Sequence, residues 1–405
     1  MSIIKGNMVI GQSGGPTAVI NQSLVGAIKQ AMKHPEITGI YGMKHGVKGA
    51  LSEQFIDLKQ EDEATLEVIA NTPASALGTC RHKPTEEECQ KLFTIFEKYH
   101  VKYWFYIGGN DSAETCHVVN EIAKKHKYEL RIFHIPKTID NDLVITDHCP
   151  GYASAAKYVA LCFMGNNLDN RSLPGVKIDI VMGRHAGWLT AASSLGRKFD
   201  DDGPHLIYVP EHPVSLEQIV KDIDAVYEKL GRCLVAVSEG VKTPDGKLLG
   251  EGFIKEKDMH GNVQLSGSGA LGDSLAEYVK EHSKHKKLRV RADTLGYAQR
   301  SFPKIVSETD KQEARMVGEE AVKYAMKGDI DGSVTIKRIG EGDNYATEPD
   351  LVKLSEVAKK TKLLPKEFIN AEGKNVTPEF LNYALPLVGD LPEHLRLKEV
   401  PVIKN

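Results

Sequence analysis

The chain has 405 residues, 26% charged and 41% apolar, with 36 glycines, a composition that excludes disordered and fibrous proteins and fits a globular α/β protein. Its 52 basic and 55 acidic residues leave a net charge of -3, which excludes the strongly basic balance of a nucleic-acid or anionic-membrane binder. That length exceeds what one hydrophobic core usually serves, so two lobes are expected.

Met1-Ser2-Ile3-Ile4-Lys5-Gly6 lacks the apolar core of a signal peptide, and no run approaches the roughly 18 apolar residues of a membrane span. The expectation is a cytoplasmic protein. Cys80, Cys89, Cys116, Cys149, Cys162 and Cys233 are scattered without CxxC spacing, which points to reduced thiols. The histidines are equally dispersed, so a metal would be magnesium held by carboxylates and phosphate oxygens rather than zinc.

Met8-Val9-Ile10-Gly11 reads as a strand running into Gln12-Ser13-Gly14-Gly15-Pro16-Thr17, and Ile20, Leu24, Ala27, Ile28 and Ala31 then recur at helical spacing. Gly14-Gly15 lets backbone N–H groups approach a phosphate at a helix amino terminus, although tight-turn chemistry accounts for such a pair equally well. The pattern is neither a Walker loop nor GxGxxG. Strand Tyr103 to Ile107 leads into Gly108-Gly109-Asn110-Asp111-Ser112, where a phosphate cradle with polar metal contacts competes with simple helix capping by Asp111 or Ser112.

Strand Arg131 to Ile135 runs into Pro136-Lys137-Thr138-Ile139-Asp140-Asn141-Asp142. Carboxylates in turns are usually solvated or capping, but a lysine, a hydroxyl and two carboxylates in one turn exceed what capping requires. One carboxylate can accept a proton from an attacking hydroxyl while the other serves a metal, and the lysine offsets phosphate charge. Ile178 to Met182 precedes Gly183-Arg184, Leu206 to Val209 precedes Pro210, and Leu234 to Val237 precedes Ser238-Glu239-Gly240. Arg184 at a strand end suits a phosphoryl group, while His185 and Trp188 read as packing groups. Arg291, Tyr297, Gln299 and Arg300 put two arginines into a loop with Gly296, suited to a dianionic phosphate or, singly, to surface ion pairs.

Strands alternating with helices imply mainly parallel sheets covered on both faces, with ligands at the carboxyl ends of the strands. After about Ile336 the periodicity weakens, which reads as a carboxyl-terminal extension packed on the surface.

Together these segments, with Gly78-Thr79-Cys80-Arg81 and Leu295-Gly296-Tyr297-Ala298-Gln299-Arg300, follow from about residue 8 to 305 the motif order of the phosphofructokinase family, and the chain resembles that family. TIDND (residues 138–142) and MGR (residues 182–184) are its specific signatures. The resemblance implies two Rossmann-like lobes with the active site in the cleft between them. A donor lobe is expected from residues 1–140 with about 250–305, a sugar-phosphate lobe from 141–249 with about 306–336, and the extension from about 337–405.

By the same resemblance, Asp140 is the general base toward the sugar 1-hydroxyl, and Lys137, Thr138 and Arg184 stabilise the transferring phosphoryl group. Asp142 and Asn110 serve Mg2+. Gly14, Gly15, Arg81, Gly109 and Asp111 contact the donor. Met182, Gly183, Glu239, Tyr297 and Arg300, with Thr138, Asp140 and Arg184, hold the sugar phosphate, and Arg291 reaches in from a neighbouring subunit, so the protein is expected to be at least a homodimer. A second such arginine has no clear counterpart, Lys177 being the nearest basic residue.

Donor choice turns on two positions. ATP-using members carry GGDG and a glycine before TIDND, whereas pyrophosphate-using members carry a second acidic residue and a lysine, here Asp111 and Lys137. A carboxylate in place of glycine crowds and repels the α-phosphate of ATP, and lysine suits a small, highly charged donor. The implied reaction joins pyrophosphate and fructose 6-phosphate to give fructose 1,6-bisphosphate and phosphate. An ATP-dependent enzyme is the alternative, and a non-catalytic sugar-phosphate-binding paralogue a more distant one. The chain departs from the usual GGDD pattern at Asn110, a neutral amide where the family has a carboxylate.

Overall fold

The computed structural model describes residues 3–251 and 269–403; the stretch 252–268, part of the range 250–305 expected in the donor lobe, lies outside the described residues. Among the described residues eleven strands form two sheets. β1 (Gly6–Gln12), β2 (Ile37–Met43), β3 (Phe55–Asp57), β4 (Val101–Gly108) and β5 (Arg131–Pro136) join β10 (Asp331–Arg338) and β11 (Thr347–Val352) in the order β11-β10-β5-β4-β1-β2-β3. β6 (Val176–Val181), β7 (Leu206–Tyr208), β8 (Cys233–Ser238) and β9 (Val290–Thr294) form the second, in the order β7-β8-β6-β9. Among the strand pairings of the described residues, only the edge pairings β2–β3 and β10–β11 are antiparallel. The central strands are apolar on both faces because helices cover both sides, as in β4, where only Lys102 is not fully buried.

Register aligns the loops that matter. Ile107 pairs with Gln12 of β1 and with Ile135 of β5, so the turns after β1, β4 and β5 emerge side by side. In the second sheet Val181 pairs with Ser238, and Ile180 with Thr294. The loops after β6, β8 and β9 are therefore neighbours as well. Both sets lie at carboxyl ends of parallel strands, where open α/β sheets bind ligands.

The α/β architecture follows the sequence expectation, but the lobes exchange their late segments. Val290–Thr294, expected with the donor lobe, is an edge strand of the second sheet, and Asp331–Arg338, expected with the sugar lobe, pairs with β5 in the first. The physical reason is helix packing. The helix Glu308–Lys327 returns to the first sheet by lying on the helix Ile20–Ala31, where a Cβ on Gly26 or Gly318 would collide with the facing backbone of Arg315 or Ser23.

Nor is the stretch from about 337 only a surface extension. β11 closes the first sheet, and the helix Pro378–Val388 buries Phe380, Ala384, Leu387 and Val388 in a cluster with Tyr152 and Trp188. Its buried residues are separated by polar turns, which dilutes the periodicity in the sequence. Among the described residues no helix is long and apolar enough to cross a membrane.

Candidate active site

The first wall is glycine-rich. After β1 the chain turns at Gly14, whose φ of 77° lies in the region glycine favours. Gly14 N–H and Ser13 Oγ–H both donate to Cys80 O at 3.2 Å, which brings the loop carrying Arg81 over the turn. After β4, Gly109 precedes the helix Asn110–Lys125 without a side-chain cap, leaving the first N–H groups at a helix amino terminus open to an anion. Gly108 allows this approach because a Cβ there would stand 1.9 Å from Ser112 Oγ in the first turn of that helix.

Lys137 forms the floor between these turns. Its side chain is buried, and its Nζ–H donates to Gly15 O at 2.7 Å. Burial and the positive charge of Arg300 lower its pKa to about 8, against the opposing pull of Asp140, so the ammonium form prevails at neutral pH.

The turn after β5 follows. Thr138 bridges to Gly151, and its Oγ1 accepts the Asp140 N–H at 3.1 Å. Asn141 takes a left-handed φ of 55°, a conformation asparagine tolerates. It is secured because its Nδ2–H donates to Tyr383 Oη at 3.0 Å and its Oδ1 accepts the Cys149 N–H at 3.0 Å. This sharp turn presents Asp140 and Asp142 on either side. Burial raises the pKa of Asp140 against the positive charges of Arg300, Lys137, His185 and Arg81. Asp142 is pushed up to about 7 by burial and by the negative charge of Asp140. Two carboxylates with raised pKa values among cations are the equipment of acid–base chemistry on a phosphorylated substrate.

Asp142 is joined to the β4 wall. Asn110 Nδ2–H donates to Asp142 Oδ2 at 2.8 Å, while Asn110 Oδ1 is buried with no hydrogen-bond partner. An orphaned amide oxygen beside a carboxylate fits the oxygen donors a hard divalent cation takes when substrate phosphates complete its shell.

The opposite wall comes from the second sheet. Met182 N–H donates to Gln299 Oε1 at 3.2 Å, and Gly183 N–H points to the buried Glu239 Oε1 at 3.5 Å. Gly183 adopts φ 144° and lies so near Ala186 O that a Cβ would come within 2.6 Å. Arg184 projects next, and its charge lowers the pKa of His185 after burial does. The Arg300 guanidinium stacks over Tyr297, 4.8 Å from the ring centroid, and a Cβ on Gly15 would stand 3.1 Å from Arg300 Cζ. Arg300 therefore reaches from one sheet's loops to the other's, closing one crevice between them.

The sequence-selected residues thus converge, with one exception. Arg291 on β9 instead donates to Asp169 Oδ2 on the helix Tyr152–Ser172 at 3.0 Å. Lys177 pairs with Asp293 and lies 3.6 Å from Asp179. Asp111 sits on the first helical turn after Gly109, its side chain 78% exposed and 3.0 Å from Lys83. Trp188 is buried as expected, whereas His185 is exposed toward the crevice and feels Asp140.

Sequence reasoning missed Lys362. Its backbone N–H donates to Asp142 O at 2.7 Å, and its Nζ–H groups reach Thr146 O at 3.0 Å and Asp147 O at 2.7 Å. Backbone contacts of this kind leave no motif.

Comparison with known proteins shows the family. The phosphofructokinase family model matches residues 7–325. A pyrophosphate–fructose 6-phosphate 1-phosphotransferase of Rhodospirillum rubrum is 52% identical, with 99% of each chain covered. A sulfofructose kinase of Alkalicoccus urumqiensis is 32% identical over 89% of this chain and 91% of its own. The crystal structure of a pyrophosphate-dependent phosphofructokinase from Nitrosospira multiformis superimposes with a TM-score of 0.85 at 36% identity, covering 99% of this chain and 98% of that one. With the family's signatures gathered in a single crevice and the match running almost from the first strand to the helix Glu308–Lys327, the chain belongs to the phosphofructokinase family.

Proposed function

We propose that the protein is a cytoplasmic, Mg2+-dependent enzyme that reversibly transfers a phosphoryl group from pyrophosphate to the 1-hydroxyl of fructose 6-phosphate. The products are fructose 1,6-bisphosphate and phosphate. The observation that carries the reading is Lys137, buried between the two glycine turns with Nζ on Gly15 O, where the pyrophosphate-using relatives' chemistry needs a compact cation. The six unpaired cysteines agree with a reducing compartment.

In this reading Asp140 accepts the proton of the 1-hydroxyl as that oxygen bonds to phosphorus and the bridging bond of pyrophosphate breaks. The raised pKa of Asp140 brings its basicity toward the working pH. Lys137, Arg81 and Arg184 offset the charge on the transferring and leaving phosphates, and Thr138 fixes the turn. Asn110 Oδ1 and Asp142 would hold Mg2+, which supplies charge neutralisation between donor oxygens when bound. Glu239, Met182, Gly183, Tyr297 and Arg300 position the sugar phosphate. Arg291 acts on the site of a second copy, which makes the working unit at least a dimer.

The test is donor choice in variants. Asp111→Gly and Lys137→Gly flank one donor site, so the double variant is expected to move kcat/KM toward ATP more than either single change. A double variant whose donor ratio stays at the wild-type value would contradict the gate.

A further inference from the structure

We propose that Lys83 is a second determinant of donor specificity, because its ion pair with Asp111 forms a bar across the mouth of the donor pocket. Pyrophosphate fits behind the bar, and a nucleoside triphosphate must break it. This inference rests on the donor site described under the proposed function.

The geometry joins two walls that the sequence keeps apart. Lys83 follows Arg81 in the loop whose Cys80 carbonyl binds Gly14 N–H and Ser13 Oγ–H, so it belongs to the β1 side of the crevice. Asp111 and Glu114 belong to the helix Asn110–Lys125, on the β4 side. Lys83 Nζ spans the gap, 3.0 Å from Asp111 Oδ1 and 2.6 Å from Glu114 Oε2. Gly14 and Gly109, one from each wall, both stand against the buried Lys137: a Cβ on the first would lie 3.3 Å from its Nζ and on the second 3.5 Å from its carbonyl oxygen.

The two carboxylates are not equivalent. Glu114 is 17% exposed and is held also by Lys359 Nζ at 3.2 Å, which gives Lys83 a fixed anchor. Asp111 is 78% exposed, and Lys83 is the only cation paired with it among the described residues. Without Lys83 that short side chain is free to turn into solvent and stops obstructing a longer donor. An exposed pair is individually weak, so the bar multiplies the discrimination exerted by Asp111 itself rather than replacing it.

The experiment measures kcat/KM for pyrophosphate and for ATP, at saturating Mg2+ and fructose 6-phosphate, in wild type, Lys83→Ala, Lys83→Arg, Asp111→Ala, the Lys83→Ala/Asp111→Ala double variant and Lys359→Ala. Lys83→Ala is expected to raise kcat/KM for ATP by about fivefold, the upper range for one exposed ion pair. Lys83→Arg should keep the wild-type ratio, and the double variant should match Asp111→Ala alone, because either change removes the same bar. Lys359→Ala removes one of the two cations on Glu114 but keeps the pairs of Lys83 with Glu114 and Asp111, so the ratio should stay as it is. A Lys83→Ala variant with unchanged ATP use would overturn the proposal, as would an effect additive with Asp111→Ala or a change confined to KM for pyrophosphate. In those cases a wild type that still prefers pyrophosphate leaves the donor assignment standing. Preference of the wild type for ATP would sink both.

Discussion

At Asp140 the same burial that makes a carboxylate costly makes it useful. Desolvation raises its pKa while Arg300, Lys137, His185 and Arg81 keep the charged form accessible, the balance a general base needs near neutral pH. Replacing Asp140 with Ser removes the proton acceptor but leaves Arg300, Glu239 and the Met182–Gly183 turn in place. Turnover should fall by roughly 10²–10⁴-fold with little change in KM for fructose 6-phosphate, and steady-state kinetics of the purified variant checks this; near-normal kcat would end the assignment. The site was legible at this scale because each strand releases its polar residues at its carboxyl end, so Gly14, Asp111, Lys137 to Asp142 and Arg184 stood out as dense polar clusters after apolar runs. Lys362 and Tyr383 were not legible. They act through a backbone amide on Asp142 and a hydroxyl on Asn141, and such contacts impose no recognisable side-chain pattern.

Between elements, the turn that carries Asp140 and Asp142 is held from behind by a buried charge network. His148 Nδ1–H donates to Asp147 Oδ2 at 2.8 Å and its Nε2–H to Glu313 Oε2 at 2.5 Å. Tyr345 and Thr347 hydroxyls also bond Glu313, and Arg338 bonds Asp147 at 3.1 Å. Loop 141–148, the helix Glu308–Lys327 and strands β10 and β11 thereby share one set of partners. Burial alone would lower the pKa of His148, but the charge of Glu313 and the hydrogen bonds the ring donates to Asp147 and Glu313 raise it from 6.5 to about 9. A raised folded-state pKa contributes stability that is full below about 6.5 and is lost as pH rises through about 9. Denaturant midpoints should therefore decline across that window, by up to ~3 kcal/mol of unfolding free energy, and His148→Gln should flatten the decline. An equal slope in that variant would place the titration elsewhere. The late elements of this network were read as a surface extension because their buried residues lie between polar turns. The exchange of β9 and β10 between sheets was equally hidden, since strand pairing partners leave no trace in a strand's own residues.

For the whole molecule, two sheets face one crevice through loops from six strands, and Arg300 crosses between them. Arg291 points elsewhere, toward Asp169 on the exposed side of the helix Tyr152–Ser172. If it completes the site of a second copy, Arg291→Ala and Asp140→Ser chains, each impaired alone, should regain about a quarter of wild-type activity when mixed and reassembled. Half of randomly paired dimers are hybrids with one intact site in two. No recovery on mixing would mean that Arg291 acts within its own chain or not at all. The most direct test of donor choice is kcat/KM of the unmodified protein with pyrophosphate and with ATP, at fixed fructose 6-phosphate and saturating Mg2+. A buried Lys137 and an Asp111 on the first helical turn after Gly109 predict a strong preference for pyrophosphate, with fructose 1,6-bisphosphate and phosphate as products, whereas efficient turnover with ATP would contradict that assignment.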